Sequence, residues 1–293
     1  MAETAPSLPP GRWQRLDKAQ LVKWIIYSLL IVNWMFYAWQ EWSWAQHTLR
    51  HDATFQEILE AFTTTIDELA WFGLLFMFEL ETYALDDEAF EKRWVGWTLH
   101  GARLVCYVGL AHTVFANSVG FHDAWNAPQA DGVTHLCQVA DGDMSWGSNY
   151  DYREITAENC ASFTEDTQFR MIDPLVITDS AGWAMEKKQT LISLIDSIVW
   201  LLVIWAVELA IWLQNRNITG GTLMIVSHAA KALYAWLFVD AAFWLFTGHP
   251  VWAWDQVLWI CGFWVIERNL SEWRDDIRDE EVARERGAAP THA

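Results

Sequence analysis

Six long apolar stretches, at about 21–44, 58–85, 94–119, 189–213, 222–246 and 251–266, constrain this chain before anything else does. A helix crosses a hydrocarbon core of roughly 30 Å in roughly 20 residues, and an isolated strand cannot satisfy its backbone there. The stretches therefore predict an all-α integral membrane protein with six transmembrane helices. The last stretch is the shortest, so a re-entrant or interfacial helix is its alternative. The first is too long and too aromatic for a cleaved leader and reads as a retained signal anchor.

Composition agrees once it is read locally. Hydrophobic residues make up 53% of the chain, 22 residues are Trp, and yet the formal charge is −19. The mean hydropathy of +0.06 is low because that scale counts Trp and Tyr as slightly polar. This aromatic content excludes a disordered acidic chain, and the charge argues against a nucleic-acid partner.

The expected layout is a cytoplasmic N-terminus at 1–20, helices one to three within 21–119, an outer loop at 120–188, helices four to six within 189–267, and a charged cytoplasmic tail at 268–293. Orientation follows the bias of Lys and Arg toward the cytoplasm. Arg12, Arg15, Lys18, Lys92, Arg93, Arg216 and the tail's arginines fall on one side, Arg50, Arg153, Arg170, Lys187 and Lys188 on the other. A bacterial inner membrane with both termini cytoplasmic is the predicted location. Cys137 and Cys160 then share the oxidising side, where a disulfide closing the outer loop is expected.

That loop is acidic and rich in Gly, Asn and Asp, and it predicts a small cap with little regular structure. Asp141, Asp143, Ser145 and Asn149 have the spacing of a calcium loop, but Trp146 stands where that loop needs Gly and Tyr152 where it needs Glu. An acidic turn is the stronger reading.

The even helices repeat a pattern. They read Asp67-x3-Trp71-x7-Glu79, Asp196-x3-Trp200-x7-Glu208 and Asp255-x3-Trp259-x7-Glu267. The odd helices carry Gln20-x2-Lys23, His100-x2-Arg103 and His228-x2-Lys231. A two-helix unit used three times accounts for both. A carboxylate in hydrocarbon costs several kcal/mol unless it is paired or hydrated, so these acids are not incidental.

The repeat sorts charge into two layers. Glu79, Glu208 and Glu267 fall at the depth of Lys23, Arg103 and Lys231 on the inner side, where ion pairing between helices is expected. Asp67, Asp196 and Asp255 form an outer layer, joined by Asp240 and His112, with no basic residue in the helices to balance them. Such acids cannot all stay ionised in a low dielectric without cations, water or protons.

The leading functional expectation is a cation channel or ion-coupled transporter, with protons among the candidate ions and the outer acids as its pathway. The alternative is a non-catalytic membrane subunit or sensor, packed in the bilayer against a partner membrane protein or its own copies, with the charges as structural locks. A haem or quinone redox protein ranks third, on the placement of His100 and His228 beside Arg103 and Lys231. No cofactor is predicted by the first two readings. P-loop, dinucleotide-binding, zinc-protease and nucleophile-elbow motifs are absent, and this leans against an enzyme.

Overall fold

The computed structural model describes residues 18–80, 93–215 and 221–263. It is mostly helical. In chain order the helices are α1 (Lys18–Thr48), α2 (Phe55–Ala61), α3 (Thr63–Glu79), α4 (Arg93–Trp125), α5 (Ser180–Asn215), α6 (Gly221–Phe246) and α7 (250–263). Among the described residues three helices, over Leu21–Thr48, Trp94–Trp125 and Ser180–Ala206, are long and apolar enough to cross a membrane, and Ala232–Phe246 is a shorter apolar one.

The second apolar stretch is not one helix. It breaks at Phe62 into α2 and α3. A capping box starts α2, with Thr54 and Glu57 bonding each other's backbone N–H groups. The start of α3 is capped from another helix: the Glu41 carboxylate accepts from Thr64 N at 2.7 Å and Thr65 N at 2.9 Å. An acid at a helix N-terminus satisfies orphan donors and the positive end of the helix dipole together.

On α1 one stripe is buried, Ile26, Leu30, Asn33, Tyr37 and Glu41, at helical spacing. It changes from apolar to polar toward the cap. The outward face exposes Trp24, Ile31, Val32, Trp39 and Trp42. Helices α3 and α4 pack closely through small residues: a Cβ added at Gly109 would meet Ala70 Cβ at 3.0 Å, and one at Gly73 would meet Cys106 Sγ.

The outer loop is more ordered than its composition predicts. It folds as a four-stranded sheet in the order β2-β1-β4-β3, with β1 at Ser145–Ser148, β2 at Asp151–Glu154, β3 at Arg170–Asp173 and β4 at Val176–Thr178. Strands β1 and β4 run parallel and the outer pairs antiparallel. Its core gathers Leu136, Trp146, Ile155, Phe169 and Ile177, and Cys137 and Cys160 are disulfide-bonded beside it. Strands of three or four residues are too short to display an alternating pattern, so the sequence hides them.

The calcium-like segment is absorbed by this sheet. Ser145–Ser148 is β1, and Asn149 and Tyr150, at φ 54° and 60°, form the two-residue turn into β2. Asp141 Oδ1 accepts from Ala157 N. The segment is a β-hairpin.

Candidate functional site: an acid-lined chamber

The six larger helices and the cap surround a cavity of about 560 Å³. Each helix supplies one face: Tyr37 and Glu41 from α1, Asp67 and Glu68 from α3, Thr113 and Asn117 from α4, Asp196 from α5, Asp240 from α6, Asp255 and Gln256 from α7. The exposed residues Arg50, Glu57 and Asp123 line its outer end, so the chamber opens on the cap side. Among the described residues eleven carboxylate side chains line it, against the single guanidinium of Arg50.

The deep acids are tied together by neutral amides. Asn33 Nδ2 donates to Asp255 Oδ1 at 3.0 Å. Gln256 Nε2 donates to Asp196 Oδ1 at 2.5 Å and to Asp240 Oδ2 at 3.1 Å. Glu68, Asp240 and Asp255 are all buried.

Below the acids the chamber is closed by indoles. Trp71, Trp200 and Trp259 are buried, with Trp71 centred 5.4 Å from Trp200 and 5.8 Å from Trp259. Phe263 packs against all three. Each Trp stands one helical turn beyond Asp67, Asp196 or Asp255, so the same four-residue step builds acid above and indole below. Two indole N–H groups reach across to a neighbouring helix: Trp259 Nε1 donates to Glu68 Oε1 at 3.0 Å, and Trp200 Nε1 to Gln256 Oε1 at 3.2 Å. Both acceptors directly follow an acid of the repeat.

Toward the cap the wall is aromatic. The β1–β2 turn presses Tyr150 against Trp252, centroids 4.8 Å apart, and Trp44, 5.2 Å. His249 stacks on Trp252 at 4.6 Å, and burial holds its imidazole below the usual range. Asn149 fastens the turn: its Oδ1 accepts from Gln189 Nε2 at 2.6 Å and lies 3.1 Å from His249 Nε2, while its Nδ2 donates to Thr247 O at 3.0 Å.

The expected outer-layer residues Asp67, Asp196, Asp240 and Asp255 thus lie on one chamber. His112 does not line it; position 113 faces in, and one residue along a helix is about 100° of rotation. Both ring nitrogens of His112 are buried without a partner among the described residues. On the inner side Lys23 Nζ bonds Glu79 Oε2 at 2.7 Å, and Tyr27 OH donates to Glu79 Oε1 at 2.7 Å. Arg103 is half-buried and His100 exposed on α4. The side chains of Glu208, His228 and Lys231, and all of Glu267, lie outside the described residues, and with them the predicted haem pairing.

Glu41, Glu68, Gln256 and Tyr37 were not expected here. Asn33, Tyr37 and Glu41 fall at four-residue intervals on α1, a polar stripe that could have flagged them. No family model, curated protein or solved structure matches the chain. The reading of the site therefore rests on its chemistry.

Proposed function

We propose that the chain is a cation channel or ion-coupled cation transporter of six membrane spans arranged as three two-helix units. The observation that carries this reading is the chamber: open on the cap side, lined by eleven carboxylates and one guanidinium, and floored by three indoles. Intramembrane acids mark ion or proton routes more often than they mark anything else. A lining of one charge sign raises the local concentration of counter-ions.

In this reading cations enter past Arg50 and Asp123, are held by Asp67, Asp196, Asp240 and Asp255, and pass the indole floor when it parts. The six spans add α3, α6 and α7 to the three helices of membrane-crossing length. The two-helix repeat is supported by the common placement of its acids and indoles. A bacterial inner membrane with the cap outside is supported by the Cys137–Cys160 disulfide, which belongs to an oxidising compartment.

A second reading has its own observation. The Lys23–Glu79 pair with Tyr27 is the arrangement a structural lock takes, as a subunit packing against partner chains or copies of itself would use. Proton and alkali-cation flux into liposomes distinguishes the two. We expect flux in the native chain and a loss of about tenfold or more when Asp67, Asp196 and Asp255 are all replaced by Asn. Flux that survives the triple replacement overturns the pathway. Absence of flux in a folded protein recovered with a partner chain supports the subunit reading instead.

A further inference from the structure

The chamber has features that an inorganic ion does not need. Its volume of about 560 Å³ lies in the range of organic-ligand sites. Among the described residues no three His, Cys, Asp or Glu side chains converge as metal ligands. Neutral amides sit among the acids instead: Gln256 Nε2 between Asp196 and Asp240, and Asn33 Nδ2 on Asp255.

Two carboxylate oxygens at opposite ends of the chamber lack a donor among the described residues. At the deep end Asp240 is 1% exposed; its Oδ2 is bonded by Gln256, and its Oδ1 is buried with no partner. At the cap end Asp173 Oδ1 is likewise buried with no partner. A buried acceptor left without a donor is expensive, so each position calls for an N–H or O–H from something else. The wall between them is largely aromatic, with Tyr150, Tyr152, Trp244 and Trp252. Indole and phenol faces accept both methylene chains and ammonium groups.

The distance between the ends follows from α5. Glu186 belongs to the cap end with Asp173, and Asp196, joined to Asp240 through Gln256, to the deep end. Ten residues of helix separate Glu186 from Asp196, about 15 Å. We infer that the chamber binds a linear polyamine lengthwise, one terminal ammonium on Asp240 and the other on Asp173, with its methylenes along the aromatic wall. This deepens the cation reading by naming the ligand class, and it rests on that reading for its link to transport.

The test uses the purified full chain in detergent, titrated with spermine, spermidine, propylamine and magnesium chloride and followed by calorimetry and intrinsic Trp fluorescence. A series of α,ω-diamines of increasing length adds a readout that needs no variant. We expect spermine to bind at least about 100-fold more tightly than propylamine, and diamine affinity to rise until the chain spans both ends. Asp173→Asn, in the cap, and Asp240→Asn should each weaken spermine by about tenfold or more. Equal affinity for all amines, a flat length series, or displacement of spermine by equimolar magnesium overturns the proposal. Acid-dependent cation flux without polyamine binding ends this inference and leaves the transport reading standing. Length-dependent binding without flux does the reverse.

Discussion

Asp173 shows how one side chain couples the cap to its surroundings. Burial pushes its carboxyl from the ordinary 3.8 up to about 6; the Leu175 N–H and Arg50 draw it down, and Asp123 and Glu57 push it up. The folded state therefore holds the proton more tightly than the unfolded chain does. Its stabilising effect is complete below about pH 4 and is lost as the pH rises through about 6. Because Asp173 is part-exposed, solvent screening reduces this to an order of 1–2 kcal/mol. Asp173→Asn, neutral at every pH, should flatten the fall in melting temperature between pH 4 and 7 relative to the native chain. Parallel curves for the two proteins would mean that Asp173 titrates in the fold as it does in the open chain. The same residue also explains a limit of the sequence. Nothing in Met171-Ile172-Asp173-Pro174 reveals that this acid is half-buried on the chamber wall, because the residues around it come from distant segments.

At the scale of elements, the β1–β2 hairpin decides the shape of the chamber's outer wall. Its turn places both Asn149 and Tyr150 at positive φ, where Asn is tolerated and a bulky ring is not. The strain at Tyr150, about 1–2 kcal/mol, is offset by packing against Trp44, Trp252, Trp244 and His249. Gly147 makes room for Val176 on β4, whose Cγ1 a Cβ there would overlap. Two substitutions separate the turn from its bonds. Asn149→Gly keeps the conformation and removes the contacts to Gln189, His249 and Thr247, so it should cost about 1–3 kcal/mol. Asn149→Ala removes the same contacts and also resists positive φ, so it should cost about 1 kcal/mol more. Equal thermal stability of the two variants in detergent would mean that the positive φ at this position contributes nothing to stability. None of this was legible beforehand, because a turn of Asn followed by Tyr lacks the Gly that marks most such hairpins. By contrast, Asp67, Asp196 and Asp255 were legible at once, being acids inside apolar runs. Glu68 and Gln256, their immediate neighbours, were not, since adjacent positions on a helix usually face different partners. The broken second stretch was hidden for a related reason: the carboxylate that caps α3 comes from Glu41, on another helix.

The whole molecule is polarised along the direction of its helices. Exposed Trp24, Trp94, Trp97 and Trp205 mark the end away from the cap, and Trp39, Trp42, Trp125 and Trp254 the end beside it. Between them the outer surface is apolar, with Ile31, Val32, Leu104, Val105, Val108, Leu202 and Phe238 exposed. Indoles at both ends of an apolar band are what lipid headgroups and tails select. Inside, the order differs: carboxylates lie toward the cap, then the indoles of Trp71, Trp200 and Trp259, then the Lys23–Glu79 pair. Access to the acids should therefore depend on side. In a background with Cys106 and Cys261 replaced by Ser, Asn117→Cys puts a thiol on the chamber wall above the indole floor. A membrane-impermeant, positively charged thiol reagent should modify it from the cap side about tenfold or more faster than from the opposite side, because the lining acids concentrate cations there. An anionic reagent of similar size should lose most of that advantage. Adding Trp200→Ala, which removes a floor indole, should narrow the difference between sides while leaving the cap-side rate unchanged. Equal rates from both sides with all three indoles intact would mean that the floor does not close the chamber, and would move the barrier to the layer of Lys23 and Glu79.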